Sequence, residues 1–200
     1  MRKPFELLEA GRSVLRQEGI AVLHAALRLG DEFVRAAEMI RCTKGRVIVC
    51  GVGKSGLIAE KVAKTFTSTG TPAYYLHTVD ALHGDMGIIG RDDVAILISK
   101  SGESSELAGI LDYLTRLGTG IIALTGDPAS TLARTASVLL DCSVGAEACP
   151  HDLVPTTSST VALAMGDALA IAVLEARGFT RADFARLHPA GSLGKRANEE

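Results

Sequence analysis

The sequence predicts an α/β fold: a three-layer sandwich with helices on both faces of a five-stranded parallel sheet, preceded by a helical arm. Three observations predict it. From residue 46 onward, short apolar runs alternate with helical segments. The runs are continuous Val/Ile/Leu stretches rather than alternating ones, as strands buried on both faces require. The loops after the first, third and fifth runs are rich in Gly, Ser and Thr, and ligands of such sheets bind outside the carboxyl ends of the strands.

Residues 4–43 carry apolar side chains every three or four positions and read as helix. Two helices are expected there, broken near Gly19, with a further break at Gly30. Residues 1–44 are taken as an arm that covers the domain's own core or packs against a second subunit, and 45–196 as the main domain. "RVIVCGVG" (46–53) is the first strand and 55–69 a helix. "PAYYLH" (72–77) is the second strand, followed by a short segment to Met86. "DVAILIS" (93–99) is the third, with a helix over 104–117. "GIIALTG" (120–126) is the fourth, with a short helix over 129–135. "SVLLDCS" (137–143) is the fifth, and a long helix covers 158–177.

Composition narrows the function classes. The 200 residues suit one domain, are 47% hydrophobic, and carry a formal net charge of −2. Lys and Arg are scattered, which gives no electrostatic case for nucleic acid or an anionic membrane. Cys42, Cys50, Cys142 and Cys149 form no C-x-x-C pair and no zinc-like spacing with histidine, so a reducing, cytoplasmic setting is expected. "MRKPFELLEAG" lacks the apolar region of a signal peptide. "TVALAMGDALAIAVLEA" carries Asp167 and is too short to span a bilayer, so it reads as a core helix.

The first loop, Gly51-Val-Gly-Lys-Ser-Gly56, matches the minimal G-x-G-x-x-G of dinucleotide sites. The acidic residue such sites need at the end of the second strand is missing, because that strand ends in His77. A Walker A loop fails too, since its first Gly would fall at Ile48. What remains is a tight turn, with Gly53, Lys54 and Ser55 at a helix N-terminus suited to an anion.

The second loop, "ISKSGESSEL" (98–107), places Ser99, Ser101, Ser104 and Ser105 around Gly102, more hydroxyls than one helix cap needs. Together with free N–H groups they form a phosphate cradle. Glu103 and Glu106 would repel a phosphate dianion unless turned aside; Glu106 is placed to act on the carbon end of a substrate, or simply to favour the helix start. The third loop, "EACPHDLVPTTSST" (147–160), brings Glu147 and the hydroxyls of Thr156 and Ser158 to the same edge. His83, in a Gly-flanked turn, and His188, in a glycine-rich tail, are the acid–base candidates among the histidines. His77 and His83 are too few to make a designed metal site.

Taken together, "GVGKSG", "TFTSTGTPAYYLH", "HGDMG", "ISKSGESSEL", "EACP", "PTTSST", "MGDALA" and "ARGFTRADFARLHPAGSLGKR" resemble the arabinose 5-phosphate isomerases of the sugar isomerase (SIS) phosphosugar-binding fold. The resemblance runs from about residue 45 to residue 196. It implies interconversion of D-arabinose 5-phosphate and D-ribulose 5-phosphate, the step towards Kdo for lipopolysaccharide or capsule, with no cofactor required. It implies Lys54, Glu106, Glu147 and His188 as catalytic, His83 and the Gly70-Thr71 turn as substrate contacts, and His77 as a site of inhibitory zinc. It further implies a dimer or tetramer in which a neighbouring subunit completes the site. Usual relatives carry a tandem pair of cystathionine-β-synthase-type domains after this one. This chain ends at Glu200, as a naturally short form or a piece of a longer one. Two departures stand out: Lys100 replaces the family's common Asn, which adds a cation beside the phosphate loop, and the tail reads His-Pro-Ala-Gly rather than His-Pro-Gly-Gly. A non-catalytic sugar-phosphate sensor, or an isomerase of another phosphosugar, is the alternative reading. For the isomerase, Glu147 or His188 is expected to move the C1/C2 proton while the remaining histidine opens the sugar ring.

Overall fold

The computed structural model describes residues 4–197. Two helices, α1 (Pro4–Leu27) and α2 (Asp31–Cys42), lead into β1 (Val47–Gly51), α3 (Lys54–Ser68), β2 (Ala73–His77) and α4 (Thr78–Leu82). A 3₁₀ turn at Asp85–Ile88 precedes β3 (Val94–Ser99), α5 (Ser105–Leu117), β4 (Gly120–Thr125), α6 (Thr131–Thr135) and β5 (Val138–Asp141). The long α7 (Thr157–Ala176) follows, then α8 (Arg181–Leu187) and α9 (Ser192–Ala197). The strands form one all-parallel sheet in the order β2-β1-β3-β4-β5. The expected three-layer α/β sandwich is therefore the architecture found.

Strand alternation sends side chains to two separate cores. Val47, Val49, Ile96, Ile98 and Ile122 pack with Phe66 of α3, Ile40 of α2 and Leu169 of α7 on one face. Ile48, Cys50, Leu97 and Ala123 pack with Ile110 and Leu114 of α5 and Leu132 of α6 on the other. The order reverses direction at β1, so the crevice between β1 and β3 is the topological switch point. Val47 is level with Val94 and Gly51 with Ile98, so the loops that follow these strands emerge side by side.

The arm departs from expectation. α1 runs without a break through Gly11 and Gly19, and the chain turns only at residues 28–30. An isolated glycine costs a helix only about 1 kcal/mol, and nothing stands within 4 Å of where a Gly19 side chain would begin. The second half of the arm is built into the domain. Ala36 and Ile40 are fully buried, Arg28 pairs with Asp141 at 2.8 Å, and the Arg177 guanidinium donates to the Ile40 carbonyl at 2.8 Å. α1 instead leaves Phe5, Leu15, Leu23 and Leu27 exposed.

By length and composition α7 would cross a membrane, but half of its apolar window is buried inside the fold. Val161, Leu169 and Val173 are fully enclosed, and Asp167 pairs with Lys61 of α3. It is the core helix expected of it. Its N-terminus arrives at the carboxyl edge of the sheet, beside the loops of β1 and β3.

Candidate active site

The glycines of the first loop bring strand and helix together. A side chain at Gly51 would stand 2.6 Å from the Ser55 carbonyl oxygen, so the end of β1 touches the first turn of α3. Gly53, at φ 57°, caps that helix with no side chain of its own. Lys54 follows as the first residue of α3, with an exposed side chain. Lys54 and Ser55 line a cavity of about 130 Å³ that also touches Lys100, Thr125, Ser158 and Ser159.

The serine loop is knitted by its own hydroxyls. Ser99 Oγ accepts the Gly102 N–H at 3.1 Å and lies 3.1 Å from Ser104 Oγ. Ser101 Oγ accepts the Glu103 N–H at 3.3 Å. Gly102 sits at φ 66°, and any side chain there would strike the Ser130 hydroxyl. Glu103 is turned aside: its Oε1 accepts the Thr131 N–H at 2.6 Å, which removes the carboxylate that would oppose a phosphate. Glu106 stays exposed on the first turn of α5 and accepts the Ser105 hydroxyl at 3.0 Å.

Glu147 is the buried charge of the site, its side chain wholly enclosed. Oε2 accepts the Thr156 N–H at 2.9 Å, the Thr156 hydroxyl at 3.2 Å and the Ser158 N–H at 3.1 Å. Oε1 accepts the Ser158 hydroxyl and pairs with Lys100 Nζ at 2.8 Å. Burial raises the pKa of this carboxyl, but Lys100, the Ser158 hydroxyl and the two N–H groups outweigh it and bring the group from 4.5 down to about 2. The carboxylate thus caps the N-terminus of α7, where negative charge is favoured. Of the two residues expected to touch phosphate, Ser158 spends its hydroxyl on Glu147, and the Thr156 hydroxyl lies 3.2 Å from both Glu147 Oε2 and the Val154 carbonyl.

The two acid–base histidines share a tautomer. His83 Nδ1 lies 2.7 Å from the Val79 carbonyl and His188 Nδ1 2.9 Å from the Phe184 carbonyl. A carbonyl only accepts, so Nδ1 carries the proton and Nε2 is left as the basic nitrogen. His83 follows α4, which packs against α5, and is exposed. His77, at the end of β2, faces Asp80 at 3.6 Å. Among the described residues, no three His, Cys, Asp or Glu side chains gather as a metal site.

Two expectations are not met within one chain. His188 stacks on Phe184 and lines a separate cavity of about 590 Å³ with Lys64, Thr67 and Tyr75. Lys54 does not line that cavity and His188 does not line the one beside Lys54, so one chain does not bring the two side chains into a common cavity. Gly70 and Thr71 lie at the opposite, amino-terminal edge of the sheet, where Val47 N–H donates to the Pro72 carbonyl. There Gly70 turns the chain against the Phe179 ring, and Thr71 accepts from Arg177 at 3.3 Å. Both are too far from the switch point to touch a ligand bound there by the same chain.

Residues 39–172 match the SIS domain. The chain belongs to the SIS domain family. It is 49% identical to the arabinose 5-phosphate isomerase KdsD of Pseudomonas aeruginosa over 196 residues, 98% of this chain and 60% of that protein. It is 50% identical to the arabinose 5-phosphate isomerase GutQ of Escherichia coli K12 over 190 residues, 95% of this chain and 59% of that protein. This SIS chain therefore spans about 60% of the length of these two relatives. Among solved structures, c3406 of E. coli CFT073 in complex with arabinose 5-phosphate superposes with a TM-score of 0.90 at 39% identity, over 94% of this chain and 100% of that one. A sugar-phosphate isomerase fold from Listeria monocytogenes superposes at 0.92 with 27% identity, over 95% of this chain and 100% of that one.

Sequence reasoning missed Thr125 as a cavity wall and the pairing of Lys100 with Glu147. Lys100 was noticeable as a cation inside the serine loop. Its partner was not, because the two are brought together only by the strand order.

The capping carboxylate makes a prediction about acid stability. A carboxyl whose pKa is lowered on folding stabilises the fold above its unfolded value, and that contribution is lost as the pH falls through the folded value. Between pH 4.5 and about 2, wild type should lose stability more steeply than Glu147→Gln, as read by denaturant unfolding at each pH. Parallel curves would show that Glu147 is not held as charged.

Proposed function

We propose that this chain is an aldose–ketose isomerase that interconverts D-arabinose 5-phosphate and D-ribulose 5-phosphate through an enediol, supplying Kdo synthesis in the cytoplasm. The observation that carries the reading is the lysine-lined cavity beside the serine loop at the switch point. The similarity to named arabinose 5-phosphate isomerases and to a protein solved with arabinose 5-phosphate supports it.

The chemistry follows from the placement. The phosphate docks on the 99–104 loop, from which Glu103 is drawn away, and this fixes C1 and C2 over the cavity. A base removes the C2 proton, the electron pair forms the enediolate, the proton of the C2 hydroxyl passes to the C1 oxygen, and the abstracted proton returns at C1 as the C2 oxygen becomes the carbonyl. Aldose and ketose are isomers, so the electrons stay within the substrate and the step needs no redox partner. Lys54 stands at the cavity wall, where its ammonium stabilises the charge that grows on the enediolate oxygens. His83 directly follows α4, and Glu106 is in the first turn of α5, against which α4 packs. Glu147 is a poor base here, because both of its oxygens already accept. Proton transfer falls to the Nε2 of His188, with His83 or Glu106 opening the ring.

His188 serves this reading only from a second copy. The exposed Phe5, Leu15, Leu23 and Leu27 of α1 give that copy an apolar face to cover. The sharing is testable by mixing Lys54→Met and His188→Ala chains, each strongly impaired alone. Sites shared between subunits should regain a fraction of wild-type activity on mixing, and none should return if each chain carries a whole site.

The isomerase reading is tested by proton NMR of arabinose 5-phosphate with the protein in D₂O. Ribulose 5-phosphate should appear with deuterium incorporated, and Lys54→Met should slow it by about 10²–10³-fold, the usual cost of one oxyanion donor. Tight binding without turnover would overturn the isomerase in favour of a sensor.

A further inference from the structure

Lys100 is held from both ends. Its carbonyl accepts the Gly126 N–H at 3.0 Å and the Thr125 hydroxyl at 3.3 Å, which fixes its backbone to the end of β4. Its side chain then reaches across the carboxyl end of β4 to the loop after β5, where Nζ meets Glu147 Oε1 at 2.8 Å. The two partners are unequal: Glu147 is fully enclosed, whereas the Lys100 side chain is 51% exposed. Such a pair is not a surface ion pair worth little, because one member is immobile and already saturated with donors. Only one of the three ammonium hydrogens is spent on it. The other two have no acceptor among the described residues, and Lys100 lines the same cavity as Lys54. Ser101 and Ser104 do not line that cavity. On the isomerase reading, with the phosphate on the 99–104 loop, this cavity is the space left for the sugar carbons.

We propose that Lys100 is a catalytic residue, a second ammonium beside Lys54 that donates to the enediolate oxygens of the phosphosugar, and that Glu147 is its positioning residue. The assignment rests on the isomerase reading above. It explains why a buried carboxylate with no free lone pair belongs to a proton-transfer site: Glu147 acts through the cation it holds. Its depressed pKa agrees, because the anchor stays charged throughout the working range.

The test is a double-mutant cycle on the isomerisation of arabinose 5-phosphate, with kcat and KM measured separately. Lys100→Met leaves Glu147 its two N–H and two hydroxyl donors, so the variant should fold, as thermal melting will show; Lys100→Gln, which keeps an N–H for Glu147, replaces it if the methionine variant melts early. The expected result is a kcat lowered by about a hundredfold, the usual cost of one oxyanion donor, with KM changed by less than about threefold. Glu147→Gln should lose a similar factor, and adding it to Lys100→Met should cost nothing further. Wild-type kcat in Lys100→Met, or a loss confined to KM, overturns the assignment of Lys100. A further large loss when Glu147→Gln is added overturns the positioning role, because Glu147 would then act on the substrate itself. Absence of turnover by the wild-type chain is a separate outcome: it overturns the isomerase reading, and this inference falls with it.

Discussion

One enclosed carboxylate organises the carboxyl edge of this sheet. Burying a charge is costly unless hydrogen bonds and a counter-ion surround it, and Glu147 has both. Its oxygens take the first N–H groups of α7, two hydroxyls of the 156–158 turn and the Lys100 ammonium. Through those contacts a single side chain ties the loop after β5 to the start of α7 and to the end of β3. Removing it would leave N–H groups and a cation without their acceptor, which costs more than the net worth of the bonds. The walls of the cavity beside Lys54 therefore share a dependence on Glu147 that their separation in sequence conceals.

The parallel sheet supplies the second constraint. All five strands end on one edge, and the reversal of order at β1 opens a crevice there. Flush registration of β1 with β3 sets the glycine turn against the serine loop. A phosphate and the carbons attached to it can thus be held by two neighbouring loops. The glycine pattern that suggests a dinucleotide serves a different end: Gly51 lets the strand end touch the helix, and no acidic residue closes β2 for a ribose.

The fold was legible because strands buried on both faces write themselves as unbroken apolar runs, with observed strand limits within a residue or two of those read from 46–53, 72–77, 93–99, 120–126 and 137–143. Gly19 misled, because a lone glycine on an open helix face costs too little to break it. The loops were legible as well, since hydroxyls and glycines clustered at three strand ends. Their internal bonding was not. Nothing in "PTTSST" says that Ser158 spends its hydroxyl on Glu147, and nothing in "ISKSGESSEL" says that Lys100 reaches over β4. His188, Gly70 and Thr71 show the other limit: motif resemblance assigns residues to a site without saying which copy of the chain brings them. The geometry of one chain places all three away from the switch point.

The organisation of this edge depends on Glu147 staying an anion while the site works. The measurement that tests this most directly is carbon-13 NMR of the Glu147 side-chain carboxyl, assigned by Glu147→Gln, followed with pH in the free protein and with arabinose 5-phosphate bound. The carboxylate signal should not titrate between pH 4.5 and 9, in either state, and should begin to shift only as the pH approaches about 2. A carboxyl that titrates near neutrality, or takes up a proton when the sugar phosphate binds, would contradict this and make Glu147 the proton carrier.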